Sequence, residues 1–289
     1  MPELPEVETM VRGLREEMVE RVVVALTIHD PFLLQGATAE EVESRVRGAT
    51  VRRVVRRGKW VVIEFEGDQG IIAIQPRMTG GFRFVSADRI DHIRVTFTMG
   101  GSGESIQFFD VRRLGKVAWH ADLGEAQAAF DRSHGPDALE IAVEDLAERL
   151  SRTGRAIKPT LMDQKVLAGL GNIYADEVLF HSRIHPERPA SSLSKREIHQ
   201  IHQAIGKILM LAIETEGSSF DTRYRTVLGR KGGYLESHAV AYGRGGQPCP
   251  NCLDPILKAK IAGLVGRPTH YCPRCQVLKP VRVRKSKSD

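Results

Sequence analysis

The sequence predicts an α+β chain of several domains: an N-terminal helix joined to an antiparallel β-sandwich, then a helical domain, then a small cysteine-bearing hairpin. Three observations carry this. Apolar residues near the start recur at helical spacing. From residue 22 to about residue 109 the chain breaks into short β-branched runs divided by glycine turns. Beyond about residue 120 the periodicity becomes helical, until all four cysteines fall together near the end.

The first helix is read over residues 2–18, with Val7, Met10, Val11, Leu14 and Met18 on one face. Pro5 suits its first turn, where a missing N–H costs no hydrogen bond. Strands are read over 22–28, 51–55, 60–65, 71–74, 93–97 and 106–109, each rich in branched side chains that fit a pleated surface. Turns at Gly58, 67–70 and 100–103 separate several of them, a spacing that suits a sandwich. Helices are read over 143–150, 159–167, 171–181 and 195–216, the last opened by a capping box of Ser194 and Glu197. Gly169-Leu170-Gly171 interrupts the middle pair, and Asn172 opens the helix after it. A helix N-terminus after such a turn offers backbone amides to phosphate, although any helical hairpin can turn on glycine. Residues 217–245 are glycine-rich and polar, the texture of a functional loop or of simple disorder. The expected division is 2–125 for the sandwich, 131–225 for the helical domain with the loop 217–245 after it, 246–280 for the hairpin and 281–289 for a basic tail.

The formal net charge is +6. Excess cation favours a polyanionic partner, since each neutralised phosphate releases counterions. The clusters are spread: Arg52-Arg53, Arg56-Arg57-Gly58-Lys59, Arg112-Arg113 and the tail at 282–287. Spread clusters suit a long groove better than one charged arm. No run approaches the roughly 18 apolar residues of a membrane span. Pro2, Glu3 and Glu6 open the chain where a secretory leader would carry basic and then apolar residues, so a cytoplasmic location is the default expectation.

The cysteines read Cys249-x-x-Cys252, nineteen residues, then Cys272-x-x-Cys275. Two such knuckles can place four thiolates around one tetrahedral, structural Zn²⁺. The alternative, two disulfides, belongs to secreted domains. The segment 258–267 between the pairs carries Lys258, Lys260, Gly263, Gly266 and Arg267, which predicts a short basic hairpin that folds with its metal. With all four cysteines bound, no position is left for a catalytic water.

A set of motifs runs through the chain in order. Met1-Pro2-Glu3-Leu4-Pro5-Glu6-Val7-Glu8-Thr9 opens it, then Arg57-Gly58-Lys59, Met78-Thr79-Gly80 and Asp110-Val111-Arg112-Arg113-Leu114-Gly115. His134-Gly135-Pro136, Ile157-Lys158-Pro159, Asp163-Gln164 and Ala168 through Glu177 follow, then Tyr242-Gly243-Arg244 and the cysteine pairs ending Cys275-Gln276. Together they resemble the formamidopyrimidine-DNA glycosylases over nearly the whole chain. The resemblance implies a helix-plus-sandwich domain, a helix–two-turns–helix domain and a zinc finger.

It also implies a chemistry. Pro2, freed by removal of Met1, supplies a chain-terminal amine, whose reference pKa of about 7.7–8.0 lies well below the roughly 10.4 of lysine. That amine displaces a damaged base and forms a Schiff base, and β,δ-elimination then cleaves the strand. Glu3 is implied as proton shuttle and Glu6 as a support for the amine or sugar, although acids at a helix start also serve the dipole. Lys59 is implied at the lesion's sugar and phosphate. Met78, Arg112 and Leu114 fill the gap left by a flipped nucleotide. Lys158, Asn172, Tyr242 and Arg267 match DNA-backbone contacts, and Glu177 an internal support. The loop 217–234 matches a lesion-capping loop in length. Three positions depart from the pattern: Leu114 for phenylalanine, Gln75 for histidine and Val111 for proline. The implied function is excision of oxidised purines, 8-oxoguanine and formamidopyrimidines, from damaged double-stranded DNA by a monomer acting on the nucleoid. The alternatives are an endonuclease VIII-like preference for oxidised pyrimidines and a lesion-binding protein without catalysis.

Overall fold

The computed structural model describes residues 2–85, 91–101, 104–219 and 226–279. The basic tail at 281–289 and the middle of the loop 217–234 lie outside the described residues. The chain divides into two compact units: residues up to His134 with Leu211–Ser237, and Gly135–Met210 with the residues from His238 on.

The first unit opens with α1 (Leu4–Met18), whose Leu4, Val7, Met10, Val11, Leu14 and Met18 are all buried. Each such side chain stabilises the unit by about 1.5–3 kcal/mol relative to exposure. β1 (Val22–Ile28), β2 (Leu34–Gln35), α2 (Ala39–Val46), β3 (Ala49–Arg57), β4 (Trp60–Phe65) and β5 (Ile71–Gln75) follow. Then come β6 (Gly80–Val85), β7 (Ile93–Met99), β8 (Ser105–Asp110), β9 (Lys116–His120) and α3 (Leu123–Ser133). The strand order is β2-β9-β5-β4-β3-β1-β7-β8-β6, antiparallel throughout except for the short parallel pair β2–β9.

β1 meets β3 only at Val22↔Thr50 and Val23↔Ala49, so this one narrow seam joins two halves. Inner residues of both halves share one core, including Val54, Ile63 and Ile74 from one and Phe82, Phe97 and Phe108 from the other. That is the expected sandwich. Alternation on β4 shows how it works: Val61, Ile63 and Phe65 enter this core, while Trp60 and Val62 pack on the opposite face with Ala126 and Phe130 of α3.

The second unit holds α4 (Val143–Ser151), α5 (Ile157–Leu161), α6 (Asn172–His181) and the larger part of α7 (Lys195–Glu214). The chain then adds α8 (Tyr234–Ser237) to the first unit and returns for the hairpin of β10 (Leu257–Ala259) and β11 (Thr269–Tyr271). The helix expected over 159–167 stops at Leu161. Beyond it Asp163 Oδ1 accepts from Lys165 N (3.0 Å), and Gln164 Nε2 donates to Met162 O (2.8 Å) and Leu170 O (2.9 Å), holding a turn instead. The Ser194–Glu197 box forms as expected. No helix among the described residues is long and apolar enough to cross a membrane.

Candidate functional site

The head of α1 concentrates buried charge. Pro2, Glu3 and Glu6 are all buried, and the two acids are 1% exposed. Glu6 accepts from the Glu3 amide (2.7 Å) through one oxygen and from the Ser218 amide (2.7 Å) through the other. Such charge-assisted bonds, with the positive end of the helix, offset the cost of burying a carboxylate. They also tie the first turn of α1 to residue 218. Gly217 is required there: its φ is +82°, and a Cβ would lie 2.9 Å from the Glu6 side chain.

Lys59 sits in the tight turn between β3 and β4 and is 7% exposed. Arg57 pairs with Trp60, leaving Gly58 and Lys59 as a two-residue turn, with Gly58 at φ +54°. Arg56 Nε donates to Glu8 Oε2 (3.1 Å) on α1, and its Nη1 donates to Gly58 O (3.2 Å). One helix therefore begins directly after Pro2 and Glu3 and anchors the turn of Lys59. The sequence reading gave neither Glu8 nor Arg56 a role of its own.

The predicted gap-filling residues are exposed: Met78 at 47%, Leu114 at 37%, and Arg112 beside Met78, with Nη1 3.8 Å from its sulfur. Their loops rest on Asp110, which is fully buried. It accepts from Gly115 N (2.6 Å), Arg112 N (3.3 Å) and the Thr79 hydroxyl, while its backbone oxygen accepts from Arg94 Nε (3.0 Å) and Nη2 (2.8 Å). Asp30 in turn pairs with Arg94 (3.2 Å) and Arg113 (2.7 Å). Arg77 and Arg113 hold left-handed φ of +54° and +53°, which costs roughly 1–2 kcal/mol each. Buried acids thus hold a strained, exposed surface. Gln75 does not share that exposure; it is buried in β5. On the same unit, Arg83, Phe84, Val227, Leu228 and Gly229 line a cavity of about 450 Å³, its last three residues drawn from the expected capping loop.

In the second unit α6 is buried on nearly all sides and bears two consecutive acids. Glu177 accepts from the amides of Val240 (3.0 Å), Ala241 (2.9 Å) and Tyr242 (2.7 Å), fixing the turn that presents Tyr242. Burial pushes its carboxyl upward, against the pull of those three amides. Asp176 accepts from His270 N (2.9 Å) on β11 and pairs with Lys158 Nζ (2.7 Å). The expectation that Lys158 meets a phosphate finds its ammonium elsewhere. Lys158 is fully buried, donating also to Pro268 O (3.1 Å) and Thr269 Oγ1 (2.9 Å). Asn172 Nδ2 donates to the same Pro268 oxygen (3.1 Å). These bonds converge on the residues just after Arg267, which is exposed. His134 is likewise structural: it accepts the Trp60 indole N–H (3.2 Å), and burial lowers its pKa.

The four cysteine sulfurs lie within 4.8 Å of one another, with Cys252–Cys272 at 3.4 Å and Cys249–Cys275 at 3.9 Å. No pair is at the roughly 2.05 Å of a disulfide. A tetrahedral ion with Zn–S bonds of about 2.3 Å would set sulfurs about 3.8 Å apart, so the cluster fits a metal. Gln276, fully buried, braces it: Oε1 accepts from Cys272 N (2.9 Å) and Nε2 donates to Ile184 O (2.9 Å).

Comparison with known proteins places this arrangement. Residues 1–117 match the formamidopyrimidine-DNA glycosylase N-terminal domain, and residues 134–224 match the formamidopyrimidine-DNA glycosylase H2TH domain. The formamidopyrimidine-DNA glycosylase of Herpetosiphon aurantiacus is 39% identical over 283 residues, spanning 96% of this chain and 100% of the relative. That of Enterococcus faecalis is 35% identical over 292 residues, spanning 98% and 100%. Lactococcus lactis Fpg in complex with DNA containing an abasic site superposes with a TM-score of 0.86 at 32% identity, over 95% of this chain and 99% of that one. MutM (Fpg) of Thermus thermophilus superposes with a TM-score of 0.84 at 33% identity, over 96% and 100%.

Proposed function

The chain belongs to the formamidopyrimidine-DNA glycosylase family, and on that footing we propose how its own residues carry the reaction. It is a DNA glycosylase of base excision repair, with formamidopyrimidine-DNA glycosylase and abasic-site lyase activities. Similar structures include complexes with Fapy-dG and with carbocyclic 8-oxo-G in DNA. Our reading is that this chain takes the same oxidised purines from duplex DNA, as a monomer in the cytoplasm.

Pro2, once Met1 is removed, attacks the anomeric carbon of the flipped nucleotide with its nitrogen lone pair. The bond from carbon to base breaks and the base leaves with a proton. Opening of the sugar ring puts a proton on the ring oxygen and leaves an iminium on Pro2. Glu3, buried one residue away, carries those protons. Loss of a C2′ proton then expels the 3′ phosphate, and a second elimination expels the 5′ phosphate. Lys59 binds the lesion's phosphate and sugar. Glu6 positions the head of α1, and Glu177 the turn of Tyr242. Met78, Arg112 and Leu114 occupy the vacated stack, while Asn172, Tyr242 and Arg267 hold the DNA backbone. Lys158 serves that grip from within, through Pro268 and Thr269. Cys249, Cys252, Cys272 and Cys275 bind one structural Zn²⁺.

The observation that carries this reading is Pro2 set at a helix head with two buried carboxylates. Borohydride trapping tests it, using protein lacking Met1 and duplexes bearing 8-oxoguanine, an oxidised pyrimidine or an abasic site. The expected result is a covalent adduct at Pro2 with 8-oxoguanine, and a loss of base excision in Pro2→Gly of roughly a hundredfold or more, the scale of removing a positioned catalytic group. Full activity in that variant refutes the nucleophile. Trapping on the pyrimidine alone refutes the purine preference.

A further inference from the structure

One aromatic ring of the first unit stands in solvent. Phe32, in the short 3-10 turn Pro31–Leu33, is 80% exposed. Single exposed apolar residues are ordinary, but this one is built in. The Arg113 guanidinium lies over its ring, 5.0 Å from the centroid. Arg113 is itself clamped from two sides by Asp30, through Nε to Oδ2 (2.7 Å) and Nη2 to Oδ1 (2.8 Å). Asp30 begins the turn that carries Phe32, and it also binds Arg94, which holds the Asp110 carbonyl. The turn of Phe32 and the loop of Arg112 and Leu114 are therefore one locked platform.

That platform exposes Phe32, Met78 (47%), Val111 (52%) and Leu114 (37%) among three exposed arginines, Arg77, Arg112 and Arg113. The mixture selects its partner. An apolar protein surface would desolvate the guanidiniums of Arg77 and Arg112 without pairing them, at several kcal/mol of cost. A nucleobase offers a flat apolar face with phosphates close by to meet the cations.

We infer that Phe32, backed by the guanidinium of Arg113, is a second stacking side chain of the DNA-reading surface, taking a nucleobase of the bound duplex at a step other than the one filled by Met78, Arg112 and Leu114. This rests on the DNA-glycosylase reading above.

Affinity is measured by fluorescence anisotropy on two duplexes, one undamaged and one carrying a tetrahydrofuran abasic analogue. The unaltered chain binds the analogue duplex more tightly. F32A and F32L each weaken that binding about tenfold, the lower range of base stacking, while the thermal midpoint is unchanged because the ring is exposed. F32W keeps the affinity, and emission from the introduced indole is quenched on binding; Trp60 and Trp119, 9% and 6% exposed, supply a background that the unaltered chain measures. Absence of any preference in the unaltered chain overturns the glycosylase reading and this inference with it. An intact preference with unchanged affinity in F32A or F32L overturns this inference alone.

Discussion

The head of α1 and the cysteine finger solve one problem with the same device and different backing. Each fixes a functional loop by a buried carboxylate that accepts backbone amides: Glu6 holds residue 218, and Glu177 holds residues 240–242. Behind Glu6 stands a core drawn from α1, α2 and both halves of the sheet. Behind the finger stands, among the described residues, a smaller cluster of five buried residues, Phe180, Ala241, Cys249, Ile256 and Cys272, with Val240, Cys252 and Cys275 packed against it. Two of those five belong to the cysteine cluster itself. The proposed chemistry is thus mounted on apolar packing, and the proposed grip on the cysteine cluster and on polar joints to α6. The lesson is that the two can fail separately.

The largest separation should come from metal removal. Chelation is expected to abolish hydrogen-exchange protection over residues 249–279 and to weaken DNA binding at least tenfold, since small modules of this kind owe their folding energy to the ion. Exchange in α1 and β4 should stay unchanged. Equal loss of protection in both regions would break the comparison.

A smaller effect is expected from Asp176→Asn, which leaves the Lys158 ammonium buried beside a neutral amide. Breaking such a pair costs about 3–5 kcal/mol, read as a lower denaturation midpoint for the second unit. Bound metal, assayed by release to a chromogenic chelator, should remain stoichiometric. If the metal is lost as well, joint and ion are not independent supports.

The smallest effect concerns acid. Burial raises the pKa of Glu197, but the Ser194 backbone and hydroxyl, Lys279 and Arg188 together win and lower it to about 2. A folded value below the unfolded one means stability that is present above pH of about 4.5 and is lost as the pH falls toward 2. Acid titration of Lys279→Ala should show a smaller loss over that window than the unaltered chain. An identical profile would remove the Lys279 contact from the finger's attachments.

What was legible in the sequence follows this division. The β-branched runs gave up most strands, because period-two burial writes itself into composition. β6 stayed hidden behind Gly80-Gly81, where a Cβ on Gly81 would lie 2.8 Å from the Phe109 ring. α2 and α3 also went unread, although Thr38 with Glu41 and Asp122 with Glu125 were capping signals in plain view. The cysteine knuckles were legible because the members of each pair are close in sequence. Pro2 and Glu3 were reached through resemblance. Asp110 and Asp176 stood inside recognised motifs without a role, and Asp30 was not singled out, because nothing local marks an acid whose partners arrive from far along the chain: Arg113 lies 83 residues from Asp30, and His270 lies 94 from Asp176. Lys158 shows the converse. The family resemblance implied a phosphate contact, and its complete burial reveals an internal strut.

The bond from Ser218 to Glu6 has a consequence for how such proteins can diverge. Residues 218 and 233 form a bridge, Gly233 N donates to Thr215 O (2.8 Å), and Tyr234 N donates to Gly217 O (3.0 Å). The segment between them therefore departs from and returns to one pinned neck, which makes it an exchangeable cassette. Doubling the length of such an insert adds only about 0.6 kcal/mol of closure entropy. Because the neck is fastened to the carboxylate that sets the helix head, one cassette can replace another while the anchor beneath it stays put. A lineage can then lengthen, shorten or replace this insert and inherit the head of α1, with the proposed nucleophile, unchanged.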